Sequence, residues 1–402
     1  MTNAIKHDVV VAGHICLDFI PDLTHVKLAG PGELYTPGKL LNSRPATIST
    51  GGPVSNTGLA LVKLGIDATL MGKVGDDPLG QMVSILLRER WGLTEGLIVD
   101  GKTTTSYTVV IAPAGFDRMF IHSPGANDTF CADDVDYDMV AQSKLFHFGY
   151  PPLMQRMFQD TGSELIEMFR RVHALGVTTS LDMSLPDPAS ASGKVDWTRV
   201  LTELMPYVDI YLPSAEETLF MLDRERFDRY RARSKATMLD EFTGEDLGML
   251  SNALLEMGGK ILGIKCGYRG FYTRTADVDR LAKIGRAKPG KGATAGSWAC
   301  REFWQPTYHI DHYASATGSG DSSIAGFLAS YMRGLSLDDA LRYATATGAS
   351  NVTAPDALSG IKPWDVMTDA LQAGWVTDPI TVTGAGWQSE ATGRWIGPAN
   401  RE

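Results

Sequence analysis

The chain has 402 residues, 44% of them hydrophobic and 21% charged, a composition that excludes disordered and fibrous architectures. Its 37 Lys and Arg against 47 Asp and Glu give a formal net charge of −10 with no basic run, which argues against nucleic-acid binding because phosphate contacts need clustered cations. Four scattered cysteines (Cys16, Cys131, Cys266, Cys300) suggest neither a zinc site nor a disulfide framework, and Met1–His7 and the apolar runs are too short for a signal peptide or a membrane span, so the expected setting is cytoplasmic, with no membrane partner.

Asp8–Gly13 (DVVVAG) reads as a buried parallel strand. A Gly/Pro-rich stretch, Pro31–Pro45, and the polar Ile48–Thr50 follow. Val54–Leu64 has helical spacing and stops at Gly65, as a C-terminal glycine should. Ala68–Val74 is expected as a strand and Leu79–Trp91 as a helix. Thr103–Ile111 and Phe116–Ser123 alternate around Pro113-Ala114-Gly115, a hairpin signature. With parts of 20–50 this hairpin can form a small separate sheet. Further on, strands are expected at Leu145–Gly149, Val177–Asp182, Val208–Leu212, Ile261–Cys266 and Gly270–Thr275. Helices are expected at Gly162–Leu175, Trp197–Met205, Ser214–Leu222 and Glu245–Met257. This alternation predicts an α/β doubly wound, mostly parallel sheet. Asp223–Asp240 reads as an exposed polar insertion and Arg280–Ala299 as a long mobile loop. The tail from Val376, with Trp387 and Trp395, has no clear placement.

The most informative segment is Ala316–Ser323 (ATGSGDSS), a side-chain-poor turn running into a helix marked by Ile324, Phe327, Leu328 and Tyr331. A helix N-terminus of this kind can cradle a phosphoryl group through its N–H groups and dipole. Asp321 in its first turn can accept a proton from an alcohol; the competing reading is a simple helix cap. Gly51-Gly52 before a helix lets the backbone approach a ligand closely, and Asn56, one turn on, offers a donor and an acceptor. Asp18 follows the first strand at the edge where parallel sheets bind ligands. Taken singly, Asp18 and Asn56 also fit surface roles. Two decoys fail. Gly318-x-Gly320 lacks the third glycine of a dinucleotide fingerprint, and Gly285–Lys291 lacks the Ser/Thr of a P-loop, since Gly292 follows.

Four segments in this order resemble the ribokinase-like (PfkB) carbohydrate kinase family. They are Gly13–Asp18; Gly51–Gly65 with Gly72–Gly80; Ser123–Asn127; and Thr317–Gly326. The resemblance covers roughly residues 8–355. It implies an αβα sandwich with a small β lid, and transfer of the γ-phosphoryl group of ATP to an alcohol of a sugar or nucleoside with Mg²⁺. It divides the chain into a kinase domain, 1–375, with lid segments near 18–50 and 100–123, and a tail, 376–402. It implies Asp321 as general base, Gly318, Ser319 and Gly320 as anion hole, and Asp18, Gly51, Gly52, Asn56 and Asn127 as substrate ligands. Lys265, Gly267 and Gly270 fall where the family bends around the nucleotide, and Glu217 matches the acid that organises magnesium and its waters. Lids of this family often pair, which implies a homodimer through the lid.

The chain departs from the pattern at Ser214, where the family usually has Asn, at Ser319 in place of Ala, and at Ser315, where members with a monovalent-cation site have Asp. The last departure predicts little activation by K⁺. The leading expectation is therefore an ATP-dependent sugar kinase. A nucleoside kinase would be favoured by a base-stacking aromatic in the lid, for which Tyr107, Phe116 and Phe120 are candidates. A catalytically silent sugar- or nucleotide-binding protein would explain Ser214 and Ser315, but the retained Asp321 and both glycine segments argue against it.

Overall fold

The computed structural model describes residues 4–27, 30, 32–33, 36–115, 119–234 and 236–401, without the side chains of 292–294. The expected stretch Pro31–Pro45 lies partly outside these residues, as does Phe116.

Fifteen strands are formed among the described residues. They are β1 (His7–Gly13), β2 (Cys16–Asp22), β3 (Arg44–Gly51), β4 (Ala68–Gly75), β5 (Gly96–Asp100), β6 (Tyr107–Ile111), β7 (Met119–Ser123), β8 (Ser143–Gly149), β9 (Thr178–Asp182), β10 (Ile210–Tyr211), β11 (Ile261–Lys265), β12 (Phe271–Thr275), β13 (Glu302–Gln305), β14 (Gln388–Ser389) and β15 (Trp395–Ile396). The large sheet has the order β14-β15-β13-β12-β11-β10-β9-β8-β1-β4-β5. From β11 to β5 all neighbours pair in parallel; beyond β11 they alternate antiparallel. The chain winds outward from β1 to β4 and β5, then returns to β8 and winds the other way. That reversal puts a crevice at the carboxyl ends of β1 and β8, the place where open α/β sheets bind ligands.

Strands covered on both faces must be apolar throughout, and β1 shows it. Val9 and Val11 enter the core on one side, Val10 and Ala12 the core on the other. The lid sheet has the order β3-β2-β6-β7, with β2 parallel to β6 and the other pairs antiparallel. Among the described residues no helix is long and apolar enough to cross a membrane.

Three stretches differ from the sequence expectation. Asp223–Asp240 is not simply an exposed insertion. Asp223 caps a helix, Arg224–Arg233, by accepting from the Arg226 N–H. Phe227 is buried edge-on against Phe220, and Arg226 pairs with Asp246 at 2.8 Å. One fully buried residue in a strongly charged decapeptide gives a weak periodic signal, so the helix was hidden. Arg280–Ala299 is not a free loop either. Ile284 and Trp298 are buried, and the Trp298 indole donates to Leu335 O at 3.0 Å. The Arg286 guanidinium donates to the carbonyls of Ala141, Ser143, Gly176 and Leu175. The tail folds back onto the large sheet: β15 pairs with β13, and Trp387 packs beside Tyr272 and Trp304. Two-residue strands carry no readable period, which is why the tail could not be placed.

Candidate active site

The Ser319–Met332 helix begins at Gly318, whose φ of 71° and ψ of 7° are left-handed. A Cβ at Gly318 would also lie 2.4 Å from that of Ala357, so conformation and space both demand glycine there. Gly318 is the cap, and no side chain makes a capping bond at this terminus. That removes the competing reading of Asp321 as an N-cap. Ser319 N–H donates to Ala316 O at 3.2 Å, closing the turn, and a Cβ at Gly320 would sit 3.4 Å from the Lys265 stem.

Asp321 is 2% exposed. Its Oδ2 accepts from Asn56 Nδ2 at 2.9 Å, and its Oδ1 faces Thr57 Oγ1 at 3.4 Å. Tyr150 OH donates to both oxygens, at 3.1 and 3.2 Å. Burial raises the carboxyl above its ordinary range, against the lowering effect of Asn56, the Lys265 ammonium, Tyr150 and Thr57. Asn56 and Thr57 are there because Gly52 starts the Pro53–Lys63 helix at φ 82°. A Cβ at Gly52 would press 2.5 Å from His14 O and 2.6 Å from His14 Nδ1.

Asp18 lies on β2 facing Gly51, where a Cβ would come within 2.2 Å of its Oδ2. Cys16 Sγ donates to Asp18 Oδ1 at 3.3 Å. Burial pushes the Asp18 carboxyl up to about 6, although Cys16 and Thr108 pull it down. From here a polar chain continues: Cys16 Sγ lies 3.6 Å from Thr108 Oγ1, Thr108 Oγ1 3.1 Å from His122 Nδ1, and His122 Nε2 3.4 Å from His14 Nε2. Burial and the neighbouring His122 lower His14 to about 3, and burial lowers His122 as well, so both rings are neutral near pH 7.

Asn127, expected among the substrate ligands, is fully buried. Its Oδ1 accepts from Ile15 N at 3.1 Å and its Nδ2 donates to Ile15 O at 2.9 Å. It therefore braces the β1–β2 turn that carries His14. Lys265 is ion-paired with Asp182 and donates to Leu212 O at 2.8 Å. Burial alone would lower the Lys265 ammonium, but Asp182 and Glu217 more than offset this and raise it. Gly267 (φ 53°) and Gly270 (φ 93°) make the turn between β11 and β12. Glu217 forms a capping box with Ser214: its Oε2 accepts from Ser214 N at 2.6 Å, and Ser214 Oγ accepts from Glu217 N at 3.2 Å. Ser315 Oγ bonds within its own turn, to Thr317 Oγ1 at 2.9 Å and Thr317 N at 3.1 Å.

The geometry adds residues that sequence reasoning gave no role: Tyr150, His14, His122, Thr108 and Asp182. Tyr150 had a usable signal, since it directly follows the strand Leu145–Gly149 at an edge where ligands bind. The lid residues had none, because alternation in a hairpin does not say which face meets the main domain.

The pfkB family carbohydrate kinase model matches residues 6–283 and 296–364. A probable fructokinase-4 of Arabidopsis thaliana is 26% identical over 236 residues, 58% of this chain and 67% of that protein. A probable fructokinase-3 of the same plant is 24% identical over 368 residues, 89% of each chain. Among solved structures, the ribokinase of Arabidopsis thaliana complexed with ribose and ATP superposes with a TM-score of 0.66 at 17% identity, over 92% of this chain and 99% of that one. The fructokinase of Xylella fastidiosa with bound ATP gives 0.66 at 16% identity over the same shares. These structural likenesses establish the ribokinase-like fold. With the family model matched over most of its length, the chain belongs to the pfkB family and is a carbohydrate kinase.

Proposed function

We propose that the enzyme transfers the γ-phosphoryl group of ATP to a hydroxyl of a free sugar, with Asp321 as general base. The observation that carries this is the position of Asp321, a buried carboxylate in the first turn of a helix that opens at Gly318, hydrogen-bonded to Asn56 of the helix that follows Gly51 and Gly52. Asp18 accepts from sugar hydroxyls and fixes the acceptor. Gly51 and Gly52 let the sugar approach the backbone. Asn56 orients the base. The acceptor oxygen attacks the γ-phosphorus in line, and its proton passes to Asp321. Charge on the transferring group meets the N–H groups of Gly318 and Gly320 and the helix dipole, in a turn that the Ser319 N–H closes onto Ala316 O. Lys265, Gly267 and Gly270 flank the nucleotide, with the Lys265 stem directly under Gly320.

The chemistry of the site fits Mg²⁺. Burial raises the carboxyls of Asp182, Glu217 and Asp321 around the one ammonium of Lys265, and Asp182 Oδ2 has no hydrogen-bond partner among the described residues, both of which a divalent cation would relieve. Glu217 would hold the waters of the ion, which would neutralise the polyphosphate when bound. The outer strand of the lid, β7, exposes Phe120 and Ile121 at 55% and 51%, an apolar surface that suits packing against a second copy. The fructokinase names of the relatives make fructose the first acceptor to test.

The test is ADP release with Mg²⁺ across free hexoses, pentoses and nucleosides. Turnover with a free sugar and none with nucleosides is expected. Turnover confined to nucleosides would overturn the sugar assignment, and sedimentation as a monomer would overturn lid pairing.

A further inference from the structure

Tyr150 has three features that nothing assigned so far explains. It sits at the carboxyl end of β8, in the crevice between β1 and β8 where the winding reverses. Its backbone is left-handed, φ 65° and ψ 41°, a conformation that a bulky residue keeps only when its surroundings hold it. Here the hold is visible: Tyr150 N–H donates to Asp182 O at 3.4 Å, its carbonyl accepts from Leu153 N at 3.0 Å, and Pro151 and Pro152 follow. Its phenol reaches both oxygens of Asp321.

A carboxylate offers about four acceptor positions. On Asp321 they face Asn56 Nδ2, Thr57 Oγ1 and the single O–H of Tyr150, which lies between the two oxygens. The phenol therefore stands where a substrate alcohol would approach the two oxygens. Burial, together with the carboxylates Asp321, Asp182 and Glu217, raises the phenol well above its ordinary range, so it stays a donor at working pH. Asp321 is buried, whereas Tyr150 is partly exposed and covers it.

We infer that Tyr150 holds the place of the acceptor hydroxyl on Asp321 and keeps water off the base until a sugar displaces it. This rests on the reading of Asp321 as base. A phenol O–H and an alcohol O–H present the same donor to the carboxylate. A sugar anchored through Asp18 and the lid can replace the phenol; an unanchored water has nothing to offset its loss. Without the phenol, water can occupy the acceptor position. Its oxygen bonds to the γ-phosphorus, the bond to the bridging oxygen breaks, and its proton goes to Asp321, giving ADP and phosphate in place of ADP and sugar phosphate.

Tyr150→Phe keeps the ring and removes only the hydroxyl, so the fold should persist; a melting curve checks this, and Tyr150→Leu is the second variant. Phosphate release without sugar and sugar phosphorylation with fructose, or whichever sugar the screen identifies, are measured on the same preparation. The expected result is a rise of about tenfold or more in the ratio of hydrolysis to transfer, with a lower KM for the sugar relative to that for ATP. An unchanged ratio, or equal loss of both rates, would overturn the proposal and leave Tyr150 a packing residue. In the double variant Tyr150→Phe/Asp321→Asn the extra hydrolysis should vanish; its survival would show that Asp321 does not activate the water and would also overturn the proposal. Sugar transfer that survives Asp321→Asn alone would bring down the base assignment itself, a failure distinct from an unchanged ratio.

Discussion

His14 and His122 face each other through their Nε2 atoms at 3.4 Å, one from the turn after the first strand of the main sheet, the other from the last strand of the lid. Both are neutral near pH 7, so one ring donates and the other accepts. The pair ties lid to body beside Asp18. His122→Ala should raise KM for the sugar by about tenfold, the worth of one hydrogen bond to a buried partner, and change KM for ATP much less. Equal changes in both constants would place His122 outside the sugar pocket.

Asp321→Asn should preserve the fold, because the substitution is isosteric, and cut turnover by roughly 10²–10⁴, the usual worth of a general base. Nucleotide affinity should hold. A variant with more than half of the native kcat would show that another group takes the proton.

Two buried groups give the protein opposite pH limbs. The carboxyl of Asp18 is raised to about 6 in the fold, so its contribution is present at low pH and lost as pH rises from about 4 to 6, a loss of about 3 kcal/mol above that window. His14 is lowered to about 3, so stability is lost as pH falls below 6.5, by about 2 kcal/mol at pH 5. Asp18→Asn should therefore raise Tm at pH 8 and not at pH 4, and His14→Gln should flatten the acid limb. Thermal melts from pH 4 to 8 check both. A Tm of Asp18→Asn that tracks the native protein at every pH would be incompatible with a raised Asp18.

With Ser315 closing its own turn onto Thr317, no carboxylate stands at that position. Replacing K⁺ by Na⁺ at constant ionic strength should leave kcat within about twofold, since screening is then unchanged. Ser315→Asp should gain K⁺ dependence if the turn still shapes a cation site. Strong K⁺ activation of the native enzyme would show that backbone carbonyls suffice.

The sequence by itself determined the layers and the centre of the chemistry. Apolar runs such as Asp8–Gly13 read as buried parallel strands, and the glycines around Asp321 and at Gly51-Gly52 mark places where backbone can approach something closely. These are local signals, carried by residues adjacent in the chain. What only the tertiary structure decided are pairings across long loops. Asn56 and Asp321 are 265 residues apart, Tyr150 and Asp321 171, and His14 and His122 108. Asn127 shows the limit: its amide could equally face a sugar or a backbone, and only the fold brings it to Ile15. Trp387 and β15 show it again, since two residues have no period and their partners on β13 are about ninety positions upstream. Local periodicity fixes which surface of an element is buried. Which buried surface meets which depends on the summed packing of the whole chain, and that is where the environment of the Asp321 carboxylate is set.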